Sequence, residues 1–140
     1  MRVLVIDDEP DVLLVCRVNL QAAGHDVLEA TDGETGLELA LQKDPEVIVL
    51  DVMLPGRDGL SILGDLSADK RTTETPVILL SAKTQDEDVV AGWQAGCTEY
   101  VTKPFMPADL VATVDRVARM STSERRERRE RELARLSRGL

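Results

Sequence analysis

Aromatic residues are almost absent from this chain of 140 residues, and its single Trp, Tyr and Phe fall in one short segment, at Trp93, Tyr100 and Phe105. Hydrophobic residues still make up 43% of the chain, so we expect a packed core rather than a disordered polypeptide. That core must be built mainly from Val, Leu, Ile and Ala. The length fits one domain of ordinary size.

Cysteines and long apolar runs are also scarce. The only two cysteines, Cys16 and Cys97, lie far apart, and neither has the spacing of a metal-binding motif. No apolar stretch approaches the roughly 20 residues that a membrane-spanning helix needs. Because Met1 leads directly into a short strand-like run, we expect no signal peptide. The simplest interpretation is a reduced, cytoplasmic protein without a membrane segment.

Positive charge is in deficit, since the net charge of the chain is −9. Residues 1–120 carry 22 acidic and 10 basic side chains, whereas residues 121–140 carry four Glu and seven Arg. The acidic body would repel nucleic acid phosphates, so we expect no direct nucleic acid binding by this segment. It would attract divalent cations or a basic protein surface.

Short apolar runs rich in β-branched residues alternate with stretches of helical spacing. We predict strands at 2–6, 25–30, 46–50, 76–80 and 98–101, and helices at 12–23, 34–43, 60–66, 86–94 and 107–120. Three of the strands are almost entirely apolar, which is typical of strands covered on both faces. The alternation predicts right-handed crossovers and a doubly wound α/β fold with a parallel sheet.

The last twenty residues have a different composition. Residues 124–132 are all charged, and their Glu and Arg side chains include pairs at the favourable i,i+4 spacing. Apolar residues return only at Leu133, Leu136 and Leu140, too few to establish a coiled coil. We predict a charged, solvated helix, either continuous with the preceding helix or separate from it. It could be a frayed tail, a linker to an output domain or a helical dimer stem.

Four of the predicted strands lead into polar or charged groups. Asp7 and Asp8 follow the first strand, Asp51 the third and Ser81 the fourth, while Lys103 lies just beyond the fifth. Open parallel sheets bind ligands at the carboxyl ends of their strands, so these groups should converge. Each has an ordinary alternative, such as a helix N-cap for Asp8, a turn cap for Ser81 and loop positions for the others. Their conjunction at four strand ends favours a functional site.

The composition of this cluster suggests its chemistry. Three neighbouring carboxylates repel one another unless a cation lies among them. A set of oxygen ligands suits Mg²⁺ better than zinc. A carboxylate beside such a cation is suited to accept a phosphoryl group, because phosphoryl transfer depends chiefly on positioning and charge neutralisation. The cation, Lys103 and the Ser81 hydroxyl could then hold the transferred oxygens.

Four motifs, "VLVIDDEP", "VIVLDVMLPGRDG", "PVILLSA" and "EYVTKPF", resemble in order and spacing the receiver domain of bacterial two-component response regulators. The resemblance covers roughly residues 1–120. It implies a flavodoxin-like sheet with strand order 2-1-3-4-5 and five helices. We therefore expect a receiver domain over 1–120, followed by a charged helical tail or linker over 121–140.

The resemblance also implies a role for each residue of the site. Asp51 would be the phosphoacceptor. Asp8 and Asp51 would ligate Mg²⁺ (or Mn²⁺) directly, with the backbone carbonyl of Met53, and Asp7 would act largely through water. Ser81 and Lys103 would contact the phosphoryl group.

The same resemblance implies a switch and its partners. A sensor histidine kinase or phosphotransfer protein would donate the phosphoryl group, and the receiver would supply most of the catalysis without being a turnover enzyme. Ser81 and Tyr100 would then switch the surface formed by the fourth helix, fifth strand and fifth helix. That surface would control a downstream protein or an output domain outside this chain. Homodimers could form through it or through the C-terminal helix.

Two further positions, Met53 and Lys83, are expected to tune the lifetime of the phosphoryl group. In the family these positions lie near the attacking water. Since an apolar Met53 cannot orient a water by hydrogen bonding, we expect slow self-dephosphorylation.

Two alternatives stay open at this point. One is a phosphorylation-independent interaction module that keeps the receiver fold. The other is a phosphatase resembling the haloacid dehalogenases, which places its nucleophile after the first strand and a general acid two residues later. Here Asp51 follows the third predicted strand and Met53 occupies the second position, so that alternative lacks its acid.

Overall fold

The computed structural model describes residues 1–139 of the chain. Its strands are β1 (Arg2–Ile6), β2 (Asp26–Ala30), β3 (Val47–Asp51), β4 (Val77–Ser81) and β5 (Glu99–Thr102). Its helices are α1 (Pro10–Ala22), α2 (Gly33–Lys43), α3 (Gly59–Ala68), α4 (Asp86–Ala95), α5 (Pro107–Arg119) and α6 (Thr122–Gly139). Every predicted strand and helix is therefore present, with modest shifts at the ends.

The five strands form one parallel sheet in the order β2-β1-β3-β4-β5. This confirms the doubly wound, flavodoxin-like topology with its predicted order 2-1-3-4-5. The winding reverses between β1 and β3, and in such sheets the loops diverge at that point and leave a crevice at the carboxyl ends of the strands. The residues that end β1 and β3 therefore border the crevice.

Alternate side chains of the strands fill two aliphatic cores, one on each face of the sheet. Ile6, Leu50 and Leu79 pack beneath α2, α3 and α4 together with Trp93. The opposite core lies beneath α1 and α5 and includes Val5, Val49 and Leu80. Burying one such side chain is worth about 1.5–3 kcal/mol, so the cores hold the strand ends in register.

The starts of the helices follow local capping chemistry. Asp32 caps α2 by accepting a hydrogen bond from the Thr35 N–H at 2.8 Å, and Asp58 caps α3 by accepting one from the Ser61 N–H at 2.9 Å. The N-cap of α1 is Glu9, whose side chain makes no capping hydrogen bond. The N-cap explanation for Asp8 is therefore wrong, and Asp8 is left free for another role.

The charged helix predicted for the tail is present and is separate from the helix before it, but it is not solvated on all sides. Helix α5 ends at Arg119, and Met120 has extended backbone, with φ −75° and ψ 134°. Ser121 and Glu124 then start a new helix by a reciprocal capping box, with N–H to oxygen distances of 3.0 and 3.1 Å. Helix α6 is therefore a separate element.

Helix α6 packs against the body of the protein, chiefly on α4. Leu136 is only 5% exposed and belongs to the same core as Trp93, while Leu133 packs partly against that core. The sequence pattern concealed this face because arginines form half of it. Arginine stems cover apolar surface while their charged ends reach polar partners. Leu140 lies outside the described residues.

A close backbone approach joins α3 to the strand that carries Asp51. The Gly59 N–H donates to the Val52 carbonyl at 2.8 Å. A Cβ atom on Gly59 would lie against the Asp51 carbonyl oxygen and Val52 Cα, whereas one on Gly64, in the same helix, would meet open space. Only glycine therefore fits where α3 begins.

We expect Gly59→Ala to destabilise the protein by about 1–3 kcal/mol, since the new methyl must displace backbone at the end of β3. The matched change Gly64→Ala should instead stabilise it by about 0.5–1 kcal/mol, because alanine favours a helix interior. Urea unfolding of both variants measures the two effects. Equal tolerance of the two changes would contradict the close approach.

Candidate functional site

The carboxyl ends of the strands bring the predicted site residues together. The carboxylates of Asp7, Asp8 and Asp51 each offer an oxygen within 4.8 Å of the others. Asp7 is fully buried and Asp51 is 2% exposed, whereas Asp8 faces solvent. Ser81, the last residue of β4, is also fully buried beside the end of β3. The predicted convergence is therefore found.

Lys103 is the cation at the centre of this cluster. Its Nζ lies 3.0 Å from Asp7 Oδ2, 3.0 Å from Glu9 Oε1 and 3.3 Å from Asp51 Oδ2. Burial lowers the pKa of Lys103, but the carboxylates of Asp7, Glu9 and Asp51 outweigh it and hold that pKa above its ordinary value. One ammonium group thus forms ion pairs with three carboxylates.

Glu9 was not among the residues predicted for the site. Its carboxylate contacts Lys103, and its N–H donates to Asp7 Oδ1 at 2.9 Å. Its position directly after the two aspartates was the available signal. The pairing could not be read from the sequence because it depends on Lys103, which is 94 residues away.

The carboxylate of Asp51 is held by two groups. Oδ1 accepts a hydrogen bond from the Met53 N–H at 3.0 Å, and Oδ2 faces the Lys103 ammonium. Burial raises the pKa of Asp51, as does the negative charge of Asp7, against the opposing effects of the Met53 N–H and Lys103. The charge on Asp51 is therefore incompletely neutralised by the protein.

The site has the character of a cation site. Asp7 Oδ2 is buried without a hydrogen-bond partner among the described residues, although it forms an ion pair with Lys103. Nearby lie oxygens of Asp8 and Asp51, so that hard oxygen ligands crowd around one point. An Mg²⁺ ion would relieve the repulsion that a single ammonium group cannot cancel, and the residues present fit such an ion.

Ser81 and Tyr100 are joined through the backbone of Lys83. The Lys83 N–H donates to Ser81 Oγ at 2.9 Å, and the Tyr100 hydroxyl donates to the Lys83 carbonyl at 2.8 Å. Burial raises the pKa of Tyr100. The side chains of Lys83 and Met53 are exposed, Met53 to 55%. The structure thus adds a backbone role for Lys83 to the predicted side-chain role.

Exposed apolar side chains lie on α1 and beyond β5. On α1, Leu14, Val15 and Val18 are 48%, 36% and 53% exposed, and Met106 beyond β5 is 66% exposed. A shallow pocket of about 440 Å³ runs between α1 and the segment after β5, and Val15 and Lys103 both line it. The pocket could not be predicted from the sequence because its residues come from distant segments.

Comparisons with known proteins agree with the fold. The family model for the response regulator receiver domain matches residues 3–115. The DNA-binding dual master transcriptional regulator RpaA of Synechocystis sp. is 41% identical over 118 residues, which is 84% of this chain and 49% of that protein. The alkaline phosphatase synthesis transcriptional regulatory protein PhoP of Bacillus subtilis is 39% identical over 120 residues, 86% of this chain and 49% of that protein.

A solved structure of the Vibrio cholerae chemotaxis protein CheY4 superposes with a TM-score of 0.79 at 31% identity, covering 83% of this chain and 97% of that one. With these matches, the chain belongs to the response regulator receiver domain family of two-component signalling. This argues against a haloacid-dehalogenase-like phosphatase. The chain spans about half the length of the curated relatives it matches. Within residues 1–139, no helix is long and apolar enough to cross a membrane.

We expect Asp51→Asn to stabilise the metal-free protein at neutral pH. The pKa of Asp51 is raised above its ordinary value of 3.8, so folding disfavours its ionised form. The cost is fully present above that raised pKa, shrinks as the pH falls through it, and is gone below 3.8, where the carboxyl is protonated in both states. A gain of 1 kcal/mol would raise Tm by about 3–5 °C.

Thermal unfolding in EDTA at pH 7 and pH 4 measures this gain. Glu38→Gln, which removes one charge from an exposed position of α2, is the matched control and should change Tm little. A loss of stability for Asp51→Asn at pH 7 would contradict the electrostatic description of the site.

Proposed function

We propose that this receiver accepts a phosphoryl group on Asp51 and uses it to switch the surface formed by α4, β5 and α5. The donor would be the phosphohistidine of a sensor kinase or of a phosphotransfer protein in the cytoplasm. The observation that carries the proposal is the setting of Asp51. Its carboxylate is buried, oriented by the Met53 N–H and placed against the Lys103 ammonium at the end of a central strand.

The transfer would be a direct displacement. An oxygen of the Asp51 carboxylate forms a bond to phosphorus as the phosphorus–nitrogen bond of the donor breaks, and the imidazole leaves. The product is an acyl phosphate. Lys103, already 3.3 Å from Asp51 Oδ2, would neutralise the added charge, and the buried Ser81 hydroxyl would donate to a phosphoryl oxygen.

Asp8, Asp51 and the backbone carbonyl of Met53 would hold the Mg²⁺ ion (or Mn²⁺), with Asp7 acting through water. When bound, such an ion supplies positive charge next to the phosphoryl oxygens. The exposure of Asp8 leaves that side of the cluster open to solvent and to the donor. The chain would therefore phosphorylate and dephosphorylate itself without being a turnover enzyme.

The switch would begin at the backbone of Lys83. If the Ser81 hydroxyl turns towards the phosphoryl group, its hydrogen bond with the Lys83 N–H must change. The same residue's carbonyl accepts from Tyr100, so the movement would reach β5 and the start of α4. Such a local change can bias a surface between two conformations.

The donor would dock at the pocket between α1 and the segment after β5, because the apolar side chains of Val15 and Phe105 line it together with Lys103. On the output side, the switched surface would act on a downstream protein or on an output domain outside this chain. Direct nucleic acid binding by the receiver is not proposed, given its acidic body. Homodimers could use the switched surface or the C-terminal helix.

Intact mass after incubation with Mg²⁺ and a small acyl phosphate donor tests this proposal. We expect one phosphoryl adduct on the native protein, no adduct in EDTA and none on Asp51→Ala. An adduct that survives in Asp51→Ala would mean a different acceptor. No adduct on the native protein would favour the phosphorylation-independent module.

The same measurement, repeated after removal of the donor, gives the lifetime of the adduct. The exposed thioether of Met53 cannot orient an attacking water, so we propose slow loss of the phosphoryl group. A half-life of only seconds would contradict this expectation.

A further inference from the structure

The C-terminal helix covers a face of α4 that the receiver chemistry does not explain. Arg128 lies over the Trp93 ring, 5.8 Å from its centroid, and its guanidinium donates to both carboxylate oxygens of Glu99 at 2.9 Å. Further along α6, Leu136 is buried in the core that contains Trp93. These contacts combine a cation–π interaction, a bidentate ion pair and apolar burial on one face.

The start of α6 forms hydrogen bonds with Glu74, in the segment between α3 and β4. The Thr122 hydroxyl donates to the Glu74 carboxylate at 2.7 Å, and the Arg125 guanidinium donates to the Glu74 carbonyl at 2.6 Å. The less exposed side chains of α6 recur at intervals of three and four residues, at Arg125, Arg128, Arg129, Glu132, Leu133 and Leu136. The helix is therefore held along most of its length.

Tyr100 contacts α4 one residue away from the docked tail. A Cβ atom built on Gly92 would lie 2.7 Å from Tyr100 Cδ2 and 2.9 Å from Cε2, so the ring rests where only glycine leaves room. The next residue, Trp93, is the one that Arg128 covers. Gly92 therefore contacts Tyr100, and the adjacent residue Trp93 contacts α6.

We propose that α6 is an internal ligand of the α4–β5 face, and that its docking and the packed position of Tyr100 stabilise each other through Gly92–Trp93. The structure holds both together: the tail is docked while the Tyr100 ring lies on Gly92 and its hydroxyl reaches Lys83. Coupling between two such contacts is reciprocal, so loosening either one weakens the other. The use of this coupling in signalling rests on the proposed function, but its existence does not.

The occupied face also has consequences for partners. Any protein that binds the α4–β5 face must displace a helix that presents arginine to Trp93 and Glu99. The face complements such a helix in charge at β5, where Glu99 accepts two hydrogen bonds from Arg128. We therefore expect external ligands of this face to be basic amphipathic helices that compete with α6.

The single Trp and single Tyr of the chain allow each side of the coupling to be read separately. Trp93 fluorescence reports the tail, and ¹⁹F NMR of protein labelled with 3-fluorotyrosine reports Tyr100. We compare Leu136→Glu, which places a charge in the docked face, with Ala134→Glu, which places the same charge on an exposed position of α6. Because no phosphoryl donor is used, a negative result would count against the coupling and would not bear on the phosphorylation of Asp51.

For Leu136→Glu we expect red-shifted, more readily quenched Trp93 emission together with a displaced ¹⁹F signal. Ala134→Glu should leave both as in the native protein. Exposure of Trp93 with an unchanged ¹⁹F signal would overturn the coupling. Unchanged Trp93 emission in Leu136→Glu would overturn the docking itself.

Two further variants test the coupling independently, in case Leu136→Glu does not fold. Arg128→Gln removes the Trp93 and Glu99 contacts without changing the apolar core, and it should shift the ¹⁹F signal in the same direction. Gly92→Ala perturbs the Tyr100 side of the coupling, because the added methyl group must displace the Tyr100 ring. It should speed hydrogen exchange of the α6 amides by about tenfold or more. Native exchange rates in Gly92→Ala would contradict reciprocity.

Discussion

The structure of the site depends on one ion-pair arrangement, in which the Lys103 ammonium lies among the carboxylates of Asp7, Glu9 and Asp51. The fold concentrates negative charge at the crevice because β1 and β3 are adjacent, Asp7 and Asp8 directly follow β1, and β3 ends at Asp51. A single cationic side chain cannot neutralise this charge. The upward pKa shift of Asp51 reflects this deficit, because Asp51 shares the one ammonium group with Asp7 and Glu9. Attraction for an external cation follows from it.

The backbone at the strand ends turns this electrostatic cluster into a defined site. The Met53 N–H orients Asp51, and the close approach at Gly59 holds the chain that follows β3. On the neighbouring strands, the Lys83 backbone connects Ser81 with Tyr100. Because α4 contacts Tyr100 on one side and α6 on the other, a local change at the cluster has a continuous path to the surface.

The sequence predicted the sheet and most of the site because both follow from local patterns. Apolar runs such as 47–50 identify buried strands, and the carboxyl-end rule then brings Asp7, Asp51 and Ser81 together. Three features could not be predicted. The Glu9–Lys103 ion pair joins distant segments of the chain. The link between Ser81 and Tyr100 runs through backbone atoms of Lys83. The face of α6 that packs on α4 includes arginines, which in the sequence look like solvated charge. Each depends on tertiary contacts rather than on periodicity.

We propose that the carboxylate cluster is a cation site completed by an ion from solution. Calorimetric titration of the native protein with Mg²⁺ measures this binding, with Asp8→Asn and Asp86→Asn run in parallel. We expect one bound ion for the native protein and for Asp86→Asn, and binding weakened about tenfold or more by Asp8→Asn, since a charged ligand is lost. Absence of binding to the native protein, or equal binding by all three, would contradict it.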